Sequence, residues 1–286
     1  MSFLNSISRL VQDPPPSHLF ELSEAGIAFA GNGQTLFQAL PAGTLKPSPT
    51  EDNLLLPDVL SAAIARLAPV NGAKKRRPAA IILPDYAARV SVLDFDSFPS
   101  SADEQLSLVR FRVKKSIPFD IDSATVSYYV QPSSGSKKVE VIAVTVALEV
   151  IAKYEALFRQ HGFHAGIVTT STLAALHLHH HEGVSVLAKL AGLALTVAVL
   201  AGNSIKLFRC VMLEEANEEE IEAILHPTFA YVEDELGSPA RKLIACGFPP
   251  GLLAGMNCEI EPLRGKSEPP GPYSAGLVGL LESMRG

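Results

Sequence analysis

The chain has 286 residues, 47% of them hydrophobic and 19% charged, and its 24 Lys and Arg against 30 Asp and Glu leave a formal charge of −6. That apolar fraction is ample for a core and excludes wholesale disorder, while the acidic balance excludes the basic footprint of a general nucleic-acid binder. Three cysteines, Cys210, Cys246 and Cys258, stand far apart with no CxxC pair, which excludes a disulfide framework or cysteine-rich zinc site and fits a reducing compartment.

Taken in chain order, Ser2 to Val11 places Phe3, Leu4, Ile7, Leu10 and Val11 at helical spacing. Asp13-Pro14-Pro15-Pro16 stops that element. With Arg9 as its one cation and no long apolar run, the segment does not read as a signal peptide, and a short helix packed on its own domain is expected. His18 to Ala30 and Thr35 to Leu40 read as strands joined around Gly31-Asn32-Gly33. Leu54 to Leu67 carries helical periodicity. Lys74-Lys75-Arg76-Arg77 reads as a solvated loop.

Ala79 to Leu83 and Ala88 to Phe95 have the character of strands in a covered sheet. Ser101 to Glu104 has the form of a capping box opening a helix, and Pro118 ends it. Ala124 to Gln131 and Lys138 to Ala147 are two further strands. Glu149 to His161 is a helix closed by Gly162, Ala165 to Val168 a strand, and Thr172 to His181 a helix. Val184 to Gly202 is nearly apolar and about as long as a membrane span. Its Val content, Lys189 and the turn signal at Gly192 make it two buried strands instead. Ile205 to Leu213 is a strand. Glu214 to Leu236 is an acidic-ended helix restarted or kinked at Pro227 and stopped at Gly237. Lys242 to Ala245 is a last buried strand, and Tyr273 to Met284 a closing helix after the Gly265 to Pro272 linker. Strands and helices alternate throughout, which gives an α/β layered architecture.

Familiar catalytic and ligand patterns are missing. There is no GxSxG elbow, no Walker A loop and no strand-linked GxGxxG. His177, His179, His180 and His181 lack the HExxH pattern and read as a polar helix end. Asp94, Asp96, Asp120 and Asp122 read as exposed strand ends rather than metal ligands.

The segment Leu106 to Val130, with Ile117-Pro118-Phe119-Asp120 and then Tyr128-Tyr129, resembles PilM, the cytoplasmic actin-like protein of type IV pilus assembly. Ile82-Leu83-Pro84-Asp85 before Ala88-Arg89-Val90, the strand–helix–Gly–strand unit of Val139 to Val168, and the closing Pro-Tyr…Ala-Gly-Leu helix extend the resemblance over nearly the whole chain. It implies an actin-like (ribonuclease H-like) two-lobed fold. The implied division is an N-terminal segment and Pro linker at 1–17, a first lobe at 18–170 with an inserted subdomain at about 79–148, and a shortened second lobe at 171–286.

In the resembled family, glycine-turn hairpins of both halves hold a nucleotide's phosphates, and an acid in each serves Mg²⁺ or the attacking water. Glycine is needed there because backbone amides must approach the phosphate closely. Here the first hairpin reads Glu21-Leu22-Ser23-Glu24, with no close-approach glycine and an added charge at Glu24. The stretch matched to the second, Thr196 to Leu200, has no acid. The adenosine loop is reduced to Ala245-Cys246-Gly247-Phe248-Pro249-Pro250, and only a few residues separate Leu213 from Glu218 where the family inserts a subdomain. One outer subdomain is therefore expected to be deleted.

The resemblance thus implies a pseudo-ATPase with no cofactor, no metal and no catalytic residue, whose remnant nucleotide positions are Glu21, Ser23, Gly202 and Gly247. It implies a scaffold of a pilus or secretion inner-membrane platform, cytoplasmic and membrane-associated through its partner. That partner is the cytoplasmic N-terminal tail of a PilN-like membrane protein, bound extended by groove or strand addition; self-association is compatible with this reading. The alternative is a working ATP·Mg²⁺-dependent protein, with Glu21 on the metal and Gly247 near adenosine. A related relative, the cytoplasmic domain of the type II secretion L protein, has a similar fold and a following transmembrane helix, which is not read in this sequence.

Overall fold

A computed structural model describes residues 16–69, 77–132, 138–237 and 242–285. The expected helix at Ser2 to Val11 and most of the Lys74 to Arg77 run lie outside the described residues. The chain divides into two compact units, each assembled from separated stretches: residues 1–88, 146–179 and 264–286, and residues 89–145 with 180–263. The closing segment 264–286 thus belongs with the first unit rather than with the expected 171–286 lobe.

The first unit holds a five-stranded sheet of β1 (His18–Ser23), β2 (Gly26–Gly31), β3 (Gln34–Ala39), β4 (Arg77–Leu83) and β8 (Phe163–Thr170), in the order β3-β2-β1-β4-β8. The first three strands form an antiparallel meander; β4 runs parallel to β1, and β8 parallel to β4. Helices α1 (Pro57–Leu67), α3 (Leu148–Gln160), α4 (Ser171–Ala175) and α6 (Ala275–Arg285) cover it. On one face Phe20, Phe29, Phe158 and Phe163 make a tilted and edge-to-face aromatic stack. On the other, Leu19, Ala28, Ala80 and Ile82 pack against Ala174, Leu277 and Leu280. Two strands fill the place of the single strand expected from His18 to Ala30. Ser23 Oγ donates to the Gly26 carbonyl (3.1 Å) and accepts its N–H (3.3 Å), so the chain reverses over Glu24-Ala25. That reversal lacks the Asn-Gly or Asp-Gly signature of a two-residue hairpin, so periodicity ran straight through it.

The second unit holds a second five-stranded sheet, in the order β11-β10-β9-β12-β13, of β9 (Val184–Ala191), β10 (Ala194–Ala201), β11 (Ser204–Met212), β12 (Lys242–Cys246) and β13 (Glu259–Pro262). It again pairs three antiparallel strands with parallel additions. Helix α5 (Glu218–Leu236) packs on it, with Ile221, Leu225 and Val232 wholly buried among Val186, Val197 and Leu243. α5 continues through Pro227 and ends on Gly237 at φ 60. The expected strands of Val184 to Gly202 are β9 and β10. β13, too short and too acidic to show alternation, is an element that sequence reading missed.

The insertion belongs to this unit as well. β5 (Arg89–Phe95), α2 (Ala102–Val113), β6 (Ala124–Val130) and β7 (Val139–Ala147) form a three-stranded sheet of order β5-β7-β6 under one helix. α2 starts at Ser101 as expected, but that side chain makes no capping hydrogen bond. Five residues, 213–217, separate β11 from α5, so the outer subdomain expected to be missing is absent between these elements.

Candidate functional site

Glu21 lies on β1, 1% exposed. Leu19, two residues back along the strand, packs against Ala174 of α4 and Leu277 and Leu280 of α6, and the Glu21 carboxylate points the same way. Oε1 accepts the Ser171 hydroxyl, and Oε2 accepts the Leu277 N–H at 2.6 Å. Leu277 is the third residue of α6, so this amide is one of the four that an α-helix cannot satisfy internally. A carboxylate there also meets the positive end of the helix dipole. Glu21 is therefore the cap of the closing helix, supplied from another part of the chain.

Asp85, in the Pro84-Asp85 pair after β4, does the same for α4. Its Oδ1 accepts the Thr172 N–H and its Oδ2 the Thr172 hydroxyl, both at 2.7 Å, in a buried setting. Glycines let the two helices meet closely. A Cβ on Gly276 would stand 2.7 Å from both Glu21 Oε1 and the Ser171 carbonyl, and one on Gly279 would stand 3.0 Å from the Ala175 Cα. The closing Ala-Gly-Leu motif is thus the seat of α6 on Glu21 and α4.

Ser23 closes the β1–β2 turn on itself. Burial pushes the neighbouring Glu24 carboxyl up, against the pull of the Lys46 charge. The other two remnant positions lie in the second unit and apart. Cys246 pairs with Lys189, which puts Gly247 at the β9–β10 turn end of the sheet. Ala201 pairs with Val184, which puts Gly202 at the opposite end. Gly202, at φ 57, makes the β10–β11 turn. The structure joins Glu21 with Ser23 in one hairpin, and does not join Gly202 with Gly247.

The turn in the second sheet that matches β1–β2 is therefore at Gly192, φ 60, not at Gly202. β1 ends its pairing at Ser23 with Gly26, and β9 ends its pairing at Ala191 with Ala194. Two residues before those ends stand Glu21 and Lys189. Register thus sets Lys189, 1% exposed, at the position in β9 that Glu21 holds in β1. A cation there opposes a second cation instead of attracting it.

Ile117, Pro118, Phe119 and Asp120 form the turn after α2. Ile117 and Phe119 pack against the Phe95, Val109, Val113 and Val141 cluster, and Asp120 accepts the Asp122 N–H at 3.1 Å. The motif is a structural corner. The expected histidine helix is not formed: α4 and a single 3-10 turn end at Leu178. His177 is held down to about 4 by burial, whereas His181 meets Glu261 at 3.3 Å beyond the helix. Among the described residues no group of three or more His, Cys, Asp or Glu could hold a metal ion.

A sheet of three antiparallel strands and two parallel additions, made twice in one chain, is the doubled ribonuclease H-like pattern. Among solved structures, the PilM–PilN type IV pilus biogenesis complex matches at TM-score 0.64 with 16% identity, over 93% of this chain and 98% of the other. The fold is actin-like. The cytoplasmic domain of EpsL, an inner membrane component of the type II secretion system of Vibrio cholerae, matches at TM-score 0.55 with 17% identity, over 93% and 94% of the two chains. No family model and no curated protein matches the sequence. No helix among the described residues is long and apolar enough to cross a membrane.

Glu21 is engaged by Ser171 and Leu277, and Lys189 stands at the matching register position of the second sheet. The glycine that would let phosphate approach β1–β2 is Ser23, whose hydroxyl is engaged in the turn.

Proposed function

We propose that this actin-like chain is a non-catalytic scaffold of a type IV pilus or type II secretion assembly platform. It receives the cytoplasmic N-terminal tail of a PilN-like membrane protein and thereby sits at the inner membrane without spanning it. The fold likeness to the PilM–PilN complex and to cytoplasmic EpsL supports the platform class. The engagement of Glu21 by the α6 amide is the observation that carries the non-catalytic part. Recruiting that carboxylate to a metal would strip the helix end and Ser171 of their acceptor. An uncompensated buried donor costs about 1–3 kcal/mol, more beside a charge.

Calorimetric titration tests the scaffold reading. ATP with Mg²⁺ should give no binding tighter than about 100 μM, roughly −5.5 kcal/mol. Tighter binding that is lost in Glu21→Gln would overturn it. A pull-down with synthetic tails of inner-membrane platform proteins encoded beside this gene tests the partner: a tail that binds supports the platform role, and failure of every tail removes it.

A further inference from the structure

β11 is an edge strand of the second sheet, and it carries a bulge. Val199 pairs with Leu207 but Leu200 pairs with Ile205, so Lys206 is the extra residue. A bulge re-aims the side chain it carries. Here Lys206 Nζ reaches both oxygens of Glu140 on β7, each at 2.6 Å, with the two side chains only 12% and 15% exposed.

Beside it, Gln131 is 6% exposed and behaves as a one-residue strand. Its Nε2 donates to the Ile205 carbonyl at 2.8 Å and its Oε1 accepts the Ile205 N–H at 2.7 Å. Gln131 in turn donates its own N–H to the Glu140 carbonyl at 2.8 Å, so both contacts come from one end of the β6–β7 pair. β5 lies along the same β11 edge. Two polar contacts, one fully hydrogen-bonded and one charge-paired, thus meet at two consecutive residues of an edge strand.

We infer that Gln131, Glu140 and Lys206 form a lock that makes the 89–145 insertion open and close with the second sheet, although its sequence interrupts the first unit. The chain crosses between units at 88/89 and 145/146, so beyond the lock the insertion is held by those two crossings and by β5 along the β11 edge. The lock is a conformational device of the fold, independent of whether the chain binds a nucleotide or a membrane-protein tail. Because both charges are largely removed from water, losing one partner leaves the other unpaired and poorly solvated, so the lock is costly when half-broken.

Hydrogen exchange read by mass spectrometry on the full chain tests this. Lys206→Glu places like charges together. It should speed exchange in β5, β6, β7 and at Ile205–Leu207 by about tenfold or more, with β1, β2 and β4 unchanged. Adding Glu140→Lys restores the pair with its signs exchanged and should return those segments toward native rates. If Lys206→Glu does not fold, Gln131→Ala, which keeps the charge pair, should speed the same segments by a smaller factor. Unchanged exchange in β5–β7 in these variants, equal acceleration of β1 and β4, or no recovery in the exchanged pair would overturn the inference.

Discussion

The Glu21 carboxylate accepts the backbone N–H of Leu277 at 2.6 Å, across 256 positions of sequence. That bond ties the first strand to the last helix. It turns the residue that the family resemblance assigns to magnesium into a structural anchor.

Glu21→Ala should therefore read out in stability. Leu277 N–H and the Ser171 hydroxyl would both be buried without their acceptor, a loss of about 3 kcal/mol. For a chain of this size the midpoint of thermal unfolding should fall by about 5 °C. Glu21→Gln keeps one acceptor oxygen and should lose less. Urea denaturation of the two variants measures both; equal stability with wild type would show that the anchor carries nothing.

Asp85 makes the matching case on α4. Asp85→Ala removes the acceptor of the Thr172 N–H and of the Thr172 hydroxyl, at about 2–3 kcal/mol. Thr172→Val leaves the N–H bond in place and should cost less than Asp85→Ala. The reverse order would place the main contribution in the hydroxyl.

The glycines of α6 should separate from those of exposed turns. Gly276→Ala drives a methyl into Glu21 and Ser171, and Gly279→Ala drives one into Ala174 and Ala175; each should lose about 1–3 kcal/mol through overpacking. Gly202→Ala meets nothing within 4 Å and is opposed only by its φ of 57, a strain of about 1 kcal/mol. Melting curves of the three variants test the order.

Acid should weaken the first unit through its histidines. Burial holds His177 at about 4 against an ordinary 6.5. His18 and His161 are also held down, first by burial and then by the Arg77 charge. The unfolded chain therefore binds more protons than the folded one below 6.5. Stability present above that pH is lost as pH falls toward 4, by at most about 3 kcal/mol for His177. Urea midpoints measured between about pH 7.5 and about pH 5 give the slope, and His177→Gln should flatten it. A slope unchanged in that variant would remove His177 from the account.

By itself the sequence determined the elements whose signals are local. The helical faces of α1 and α3, the apolar run of β4 and the two buried strands in the stretch 184–202 follow from residue spacing, because burial selects one face at a fixed period. The order of those elements gave a layered α/β architecture, and the actin-like reading came from the resemblance of motifs such as Ile117 to Asp120 to the PilM family. Tertiary structure alone decided what the acids do. Glu21 and Leu277, or Asp85 and Thr172, meet only after the sheet has assembled, and a helix end draws its missing acceptor from whatever the fold brings near. The same holds for Lys189. Its equivalence to Glu21 is a matter of strand register, which pairing sets and which the residues read in a line do not carry.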